Sequence, residues 1–306
     1  MLTAVLKHIG FCSVLAAIMT AGGSAYAKIN VLVSLGPQKY FVQQIGKDLV
    51  DIQVMIPPGA DFHIYEPKPK QMVALARARL YFAIGIEFEK ARLKDLSRTN
   101  PQLVVVRTDR GIEKMPLASR HHFSRNEAHA RETAGDHDND HHAAGGLDPH
   151  IWLSPPLVRN QARTIVRALQ EIDPDHQSIY QDNYQAFIAE IAKLDAELKT
   201  IFAGQRGLQF MVFHPAWGYF AHAYGLQQLP VEIEGKDPKP AQLRALIEHA
   251  RENDIKVIFV QPQFSARSAQ LIAREIGGQV VIADPLAVEW TANLRKVARQ
   301  IKDQVR

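Results

Sequence analysis

The chain has 306 residues, 36 Lys and Arg against 32 Asp and Glu, and a single cysteine, Cys12. The formal charge of +4 is spread along the chain and the cations do not gather among aromatics, which argues against nucleic acid as a partner. With its one thiol at position 12, the chain beyond that point can form neither a disulfide nor a thiolate metal site, so any metal must be held by His, Asp or Glu.

Residues 1–27 read as a secretion signal. Lys7 and His8 give a thin positive start, and 9–19 is an apolar run too short to span a bilayer. Ala25-Tyr26-Ala27 matches the A-x-A cleavage pattern. Phe11, just before Cys12, is too bulky for a lipoprotein signal. A mature chain from Lys28, exported to a periplasm, is expected, and it is long enough for two domains.

From 28 to 155 the pattern is that of an α/β lobe. Strands are expected at 29–34, 50–56, 80–84 and 103–106, with helical stretches at 40–46 and 70–77 between them. Gly36-Pro37 reads as the close of the first strand, and 57–69 holds too much proline to be regular. Strands alternating with helices imply βα units and a parallel sheet, whose ligands usually sit at the carboxyl ends of the strands. His63 lies in that zone.

Between 113 and 146 the pattern dissolves. The stretch carries His121, His122, His129, His137, His141 and His142, and 136–142 alternates carboxylate with imidazole. It has too few apolar residues to bury a core, and its composition suits low-affinity metal capture.

A helix is expected from 156 to 172, a rod of roughly 25 Å. Ser154 is a candidate N-cap, Pro155 or Pro156 suits the first turn, and Pro174 lies where a helix stops. Val158, Ala162, Ile165, Val166, Leu169 and Ile172 form one apolar face. Residues 156–173 are therefore read as a rigid linker between two lobes, with His150 facing the cleft beside its start. The second lobe, 174–306, repeats the strand–helix logic: strands at 209–213, 226–231, 255–260 and 279–283, and helices at 177–202, 219–224, 240–253, 265–276 and 291–305. In the first of these helices Tyr180, Tyr184, Phe187, Ile191, Leu194 and Leu198 make a core stripe.

His63 and His214 follow strands, His150 lies in the crossing segment, and Asp284 follows the last strand. Facing lobes would bring these four together as a four-coordinate site suited to Zn²⁺. Each also has a plainer role: a loop histidine, or for Asp284 a helix cap. Asp61 and Glu66 flank His63 as a possible fourth ligand or as acceptors for its other N–H.

Five segments then carry a resemblance: Gly59-Ala60-Asp61-Phe62-His63-Ile64-Tyr65-Glu66-Pro67, Asp148-Pro149-His150-Ile151-Trp152-Leu153, Phe213-His214-Pro215-Ala216-Trp217-Gly218-Tyr219, Glu234-Gly235-Lys236-Asp237-Pro238 and Asp284-Pro285-Leu286. In this order the chain resembles the metal-binding proteins of zinc and manganese ABC importers, the cluster A-I solute-binding proteins. The resemblance implies two α/β lobes joined by one long helix, a metal between them, delivery to an inner-membrane permease, and no catalysis. A monomer is expected.

Manganese members tend to carry Glu at the third ligand position, where this chain has His214, and imidazole favours zinc. Phe62 stands where some zinc members have a Glu, which leaves Asp284 as the expected fourth ligand. The rival readings are a manganese-binding counterpart, a secreted zinc hydrolase and a surface adhesin. The hydrolase lacks a His-Glu-x-x-His helix and an evident general base.

Overall fold

The fold is taken from a computed structural model that describes residues 27–117, 146–233 and 235–304. Two four-stranded sheets, both wholly parallel, carry the chain. The first holds β1 (Ile29–Val33), β2 (Val50–Val54), β3 (Leu80–Ala83) and β4 (Val104–Arg107) in the order β2-β1-β3-β4. The second holds β5 (Gln209–Val212), β6 (Gln227–Pro230), β7 (Val257–Val260) and β8 (Gln279–Ile282) in the order β6-β5-β7-β8. The two halves therefore share one topology despite little shared sequence. In each, the order reverses beside the first strand, and the carboxyl ends there form the crevice where α/β sheets bind ligands.

The helices are α1 (Gly36–Gly46), α2 (Pro69–Arg77), the short α3 (Lys94–Ser97), α4 (Pro155–Ile172), α5 (Gln177–Ile201), α6 (Gly218–Tyr224), α7 (Pro240–Glu252), α8 (Arg267–Glu275) and α9 (Trp290–Asp303). Two sequence expectations need correction. Gly36-Pro37 opens α1 instead of closing the first strand, which ends at Val33, because proline is preorganised for a first helical turn and has no N–H to lose there. Ser154 stands at the N-cap of α4, but its hydroxyl makes no cap bond. Pro156 removes one of the two N–H groups it would serve, and the other, the Leu157 N–H, goes to the Ser154 carbonyl at 3.0 Å.

The expected faces are otherwise present. Val158, Ala162, Ile165, Val166 and Leu169 of α4 are buried, with Ile172 half-buried, and the α5 stripe is buried except for half-buried Tyr184. α4 packs along α5 and also against α1, so the long linker belongs to a helical layer shared by both sheets. One hydrophobic cluster runs through both halves: Phe41 of α1, Trp152 of the crossing segment, Phe187 of α5 and Trp290 of α9 all belong to it. Phe41 meets Trp290 edge-on at 5.1 Å between centroids. Gly36 lies directly against the Leu286 carbonyl, where a Cβ would collide, so the amino end of α1 touches the loop after β8. Tyr40 adds a polar tie, donating its hydroxyl to Glu190 at 2.6 Å.

Candidate metal centre

The strand ends supply the side chains. His63 follows β2, Glu87 follows β3, His214 follows β5, Glu232 follows β6 and Asp284 follows β8. His150 sits in the crossing segment, just before a single tight turn, Ile151–Leu153, and α4.

Each of the three histidines faces a carboxylate through Nδ1. His150 Nδ1 donates to Asp148 Oδ1 at 2.7 Å, and the same oxygen accepts the His150 backbone N–H at 2.9 Å. His214 Nδ1 donates to Glu232 Oε1 at 2.6 Å. His63 Nδ1 lies 3.4 Å from Glu87 Oε2, an electrostatic contact too long for a formed hydrogen bond. A proton fixed on Nδ1 leaves the lone pair on Nε2, the arrangement found in metal-ligating histidines. His150 Nε2 and His214 Nε2 are both buried with no hydrogen-bond partner. A buried imidazole nitrogen left unpaired costs roughly 1–3 kcal/mol, which is recovered when it ligates a cation.

The rings converge. The His214 centroid lies 5.4 Å from that of His150 and 5.6 Å from that of His63. Two imidazoles bound to one tetrahedral zinc at about 2.0 Å would place their centroids roughly 5 Å apart, close to the spacing of these rings. Among the described residues no three or more His, Cys, Asp and Glu side chains stand together as a finished metal cage.

Aromatic rings wall the site. Phe62 packs on His63 at 4.2 Å and reaches His150 at 5.8 Å, while Phe264 stacks on His214 at 4.9 Å. Gln261, directly after β7, holds the His214 backbone by donating to its carbonyl at 2.7 Å. The electrostatics differ among the rings. Burial pulls the His150 pKa down, with the neighbouring His214 and His63 adding to this against Asp148, so the ring is held neutral as ligation requires. Burial also pulls on His63, but the Glu87 carboxylate outweighs it and the net shift is upward. Glu87 itself, although partly desolvated, is held down at about 2 by His63.

Asp284 stands at the same level of the second sheet and is half-buried, and burial pushes its carboxyl up. Its Oδ1 accepts the Leu286 N–H at 2.8 Å. Among the described residues no hydrogen bond or ion pair joins it to the three histidines. Asp61 and Glu66 do not serve His63 as expected. Asp61 Oδ1 accepts the His63 backbone N–H at 2.9 Å, and Glu66 pairs with Arg92. The carboxylate that faces the ring is Glu87, which sequence reasoning missed. Its loop is pinned by Glu89, a buried carboxylate that accepts Ser34 Oγ–H and the N–H groups of Ile84 and Gly85. Trp152, Trp217, Tyr219 and Trp290 are all buried packing residues. His121, His122, His129, His137, His141 and His142 lie outside the described residues, as does Glu234 of the fourth segment.

Residues 31–304 match the family model described as zinc-uptake complex component A, periplasmic. The chain is 30% identical over 263 residues to the high-affinity zinc uptake system protein ZnuA of Bacillus subtilis, covering 85% of this chain and 79% of that protein. A crystal structure of ZnuA superimposes with a TM-score of 0.80 at 39% identity, covering 90% of this chain and 99% of that one. A zinc-bound ZnuA deletion mutant superimposes at 0.79 with the same identity, covering 91% and 98%. With the family model spanning nearly the whole described chain and two parallel sheets disposed as in those structures, this chain belongs to the periplasmic zinc-uptake component A family of solute-binding proteins.

Proposed function

We propose that His63, His150 and His214 bind Zn²⁺ through Nε2, that Asp284 completes the sphere, and that the protein carries zinc through the periplasm to the permease of an ABC importer. The observation that supports this most directly is the pair of buried Nε2 atoms of His150 and His214, unpartnered while carboxylates hold the opposite ring nitrogens. Four N and O donors from opposite halves make a sphere suited to zinc, and imidazole at position 214 favours zinc over manganese. In this reading residues 1–27 are a cleaved export signal, 28–155 and 174–306 are the two lobes with 156–173 as linker, and the protein works as a monomer without a reaction of its own. The histidines of 113–146 act as a low-affinity zinc store. Native mass spectrometry with elemental analysis tests the core of it. The mature protein should carry one tight zinc and His214→Ala should lose it; a His214→Ala protein that keeps its zinc refutes the assignment.

A further inference from the structure

The three histidines are not held alike. The side chain of His63 is 31% exposed, against 1% for His150 and 9% for His214. His63 lies in the proline-rich loop 57–69, where the backbone bonds around it are local: Ala60 N–H to the Pro57 carbonyl, His63 N–H to Asp61 Oδ1, and Ile64 N–H to the Asp61 carbonyl. Nothing in that set ties the His63 backbone to the opposite half.

His150 and His214 are joined by a short, buried chain of contacts. α6 begins four residues after His214. Its Tyr219 hydroxyl accepts the Met115 backbone N–H at 2.9 Å and donates to the Asp148 carbonyl at 2.9 Å. Those two residues are themselves paired, the Asp148 N–H donating to the Met115 carbonyl at 2.8 Å. Tyr219 therefore spans both strands of the small antiparallel pairing that also joins Pro116 to Leu147. Gly218 lies against the same residue, where a Cβ would stand 2.8 Å from Asp148 Oδ2. Asp148 in turn fixes both the backbone and the ring of His150. A hydroxyl on the His214 side thus holds the backbone of the residue whose carboxylate aims His150.

We propose that Tyr219 is a positioning residue that locks His150 and His214 into a preformed two-histidine half-site, and that His63, the exposed ligand, closes on the ion last. This rests on the reading of these three histidines as zinc ligands. The half-site needs no lobe movement to form, since its parts are linked through buried hydrogen bonds and the shared core. The third ligand is the exposed one and its backbone bonds are local, so ion entry and exit are governed by the His63 loop.

The test uses the full chain, with zinc titrated against a chromogenic chelator. His63→Ala should keep measurable one-to-one zinc binding, weakened roughly tenfold or more, while His150→Ala should lose far more. Tyr219→Phe should weaken zinc by about tenfold, and by the same factor in the His63→Ala background. It should also change the visible absorption of bound Co²⁺, which reports ligand geometry, with the metal-free melting temperature close to wild type. Wild-type affinity for Tyr219→Phe in both backgrounds, or equal losses for His63→Ala and His150→Ala, overturns the proposal. If Tyr219→Phe does not fold, Gly218→Ala carries the same test, because its Cβ would displace Asp148. Weakened zinc in both backgrounds is then expected, and unchanged zinc overturns the proposal. Wild-type affinity in both His150→Ala and His214→Ala would instead remove the ligand assignment underneath it.

Discussion

Trp290 donates its indole N–H to the backbone carbonyl of Trp152 at 2.7 Å, and Trp152 donates its own to the carbonyl of Pro285 at 2.7 Å. The two bonds close a loop from the start of α9 to the crossing segment and back to the residue after Asp284. Both indoles are 1% exposed or less. Because Trp152 is two residues from His150, the contact holds the carboxyl end of β8 at a fixed distance from the cleft. The two sheets are thus held by a shared interior as well as by α4.

The first prediction follows from that interior. Trp290→Ala removes a large buried ring and leaves the Trp152 carbonyl unpaired, so a loss of about 3–5 kcal/mol is expected. Urea unfolding of the metal-free protein should show one cooperative transition in the wild type, since one cluster spans both halves. Two separate transitions, one for each sheet, would show that the lobes are energetically independent.

The carboxylates behind the rings give the second. Asp148→Asn and Glu232→Gln keep size but lose the charge that orients His150 and His214. Each should weaken zinc by roughly 10–100-fold without abolishing it. Chelator competition measures this directly. A variant indistinguishable from wild type would mean that the ring is oriented by packing alone.

Much of this was readable before any coordinates. Dense Val and Ile runs such as Val31-Leu32-Val33 and Val257-Ile258-Phe259-Val260 mark strands buried on both faces, and the regular helices between them leave little choice but parallel sheets. His63, His150 and His214 stood out as candidates because each sits in a loop after a strand or before a helix, and the structure brings their rings near one another. Glu87 and Glu232 were not legible as their partners. Which carboxylate meets which ring depends on how strand ends line up across a sheet, and β3 places Glu87 beside a loop that leaves β2, with β1 between them. Asp61 and Glu66 were nearer in sequence, but local turn geometry and Arg92 claim them. Tyr219 looked like a packing residue, and it is one; its hydroxyl acquires a second role only because the Met115–Asp148 pairing passes over α6.

A third prediction concerns acid stability. Asp109 is buried and paired with Arg107 at 2.7 Å and Lys114 at 2.8 Å. Burial opposes its charge, but the two cations win and hold its carboxyl at about 2, below its ordinary value of 3.8. A folded-state pKa below the unfolded one stabilises at neutral pH and is lost as pH falls from about 4 toward 2. Asp109→Asn should therefore cost about 2 kcal/mol at neutral pH in urea unfolding, and the gap from wild type should close toward pH 2. A gap that stays constant through that window would mean the cost is steric.

The fourth concerns the histidine-rich segment. Deleting residues 121–142 should remove weak, extra zinc equivalents and leave the tight one, because none of the four proposed ligands lies in that stretch. Isothermal titration on both proteins separates the two classes. Loss of the tight equivalent on deletion would place that site in the segment.

The fifth uses the difference between His63 and His150. Zinc and protons compete for the same imidazoles, so affinity falls as the rings protonate. Burial holds the His150 pKa down, whereas His63 is raised because the Glu87 carboxylate favours its charged form over the pull of burial. His63 therefore takes a proton before His150 as pH falls. Glu87→Gln removes that attraction and lowers the His63 pKa. Two opposite effects are then expected. At a pH high enough that the ring is neutral in both proteins, the variant should bind zinc more weakly, because a charged partner no longer strengthens the ligand. Between there and about pH 5.5 its affinity should decline less steeply than wild type, because the proton competes less well for its ring. Zinc competition titrations across that interval measure both slopes. Parallel curves for the two proteins would show that Glu87 does not govern the charge of His63.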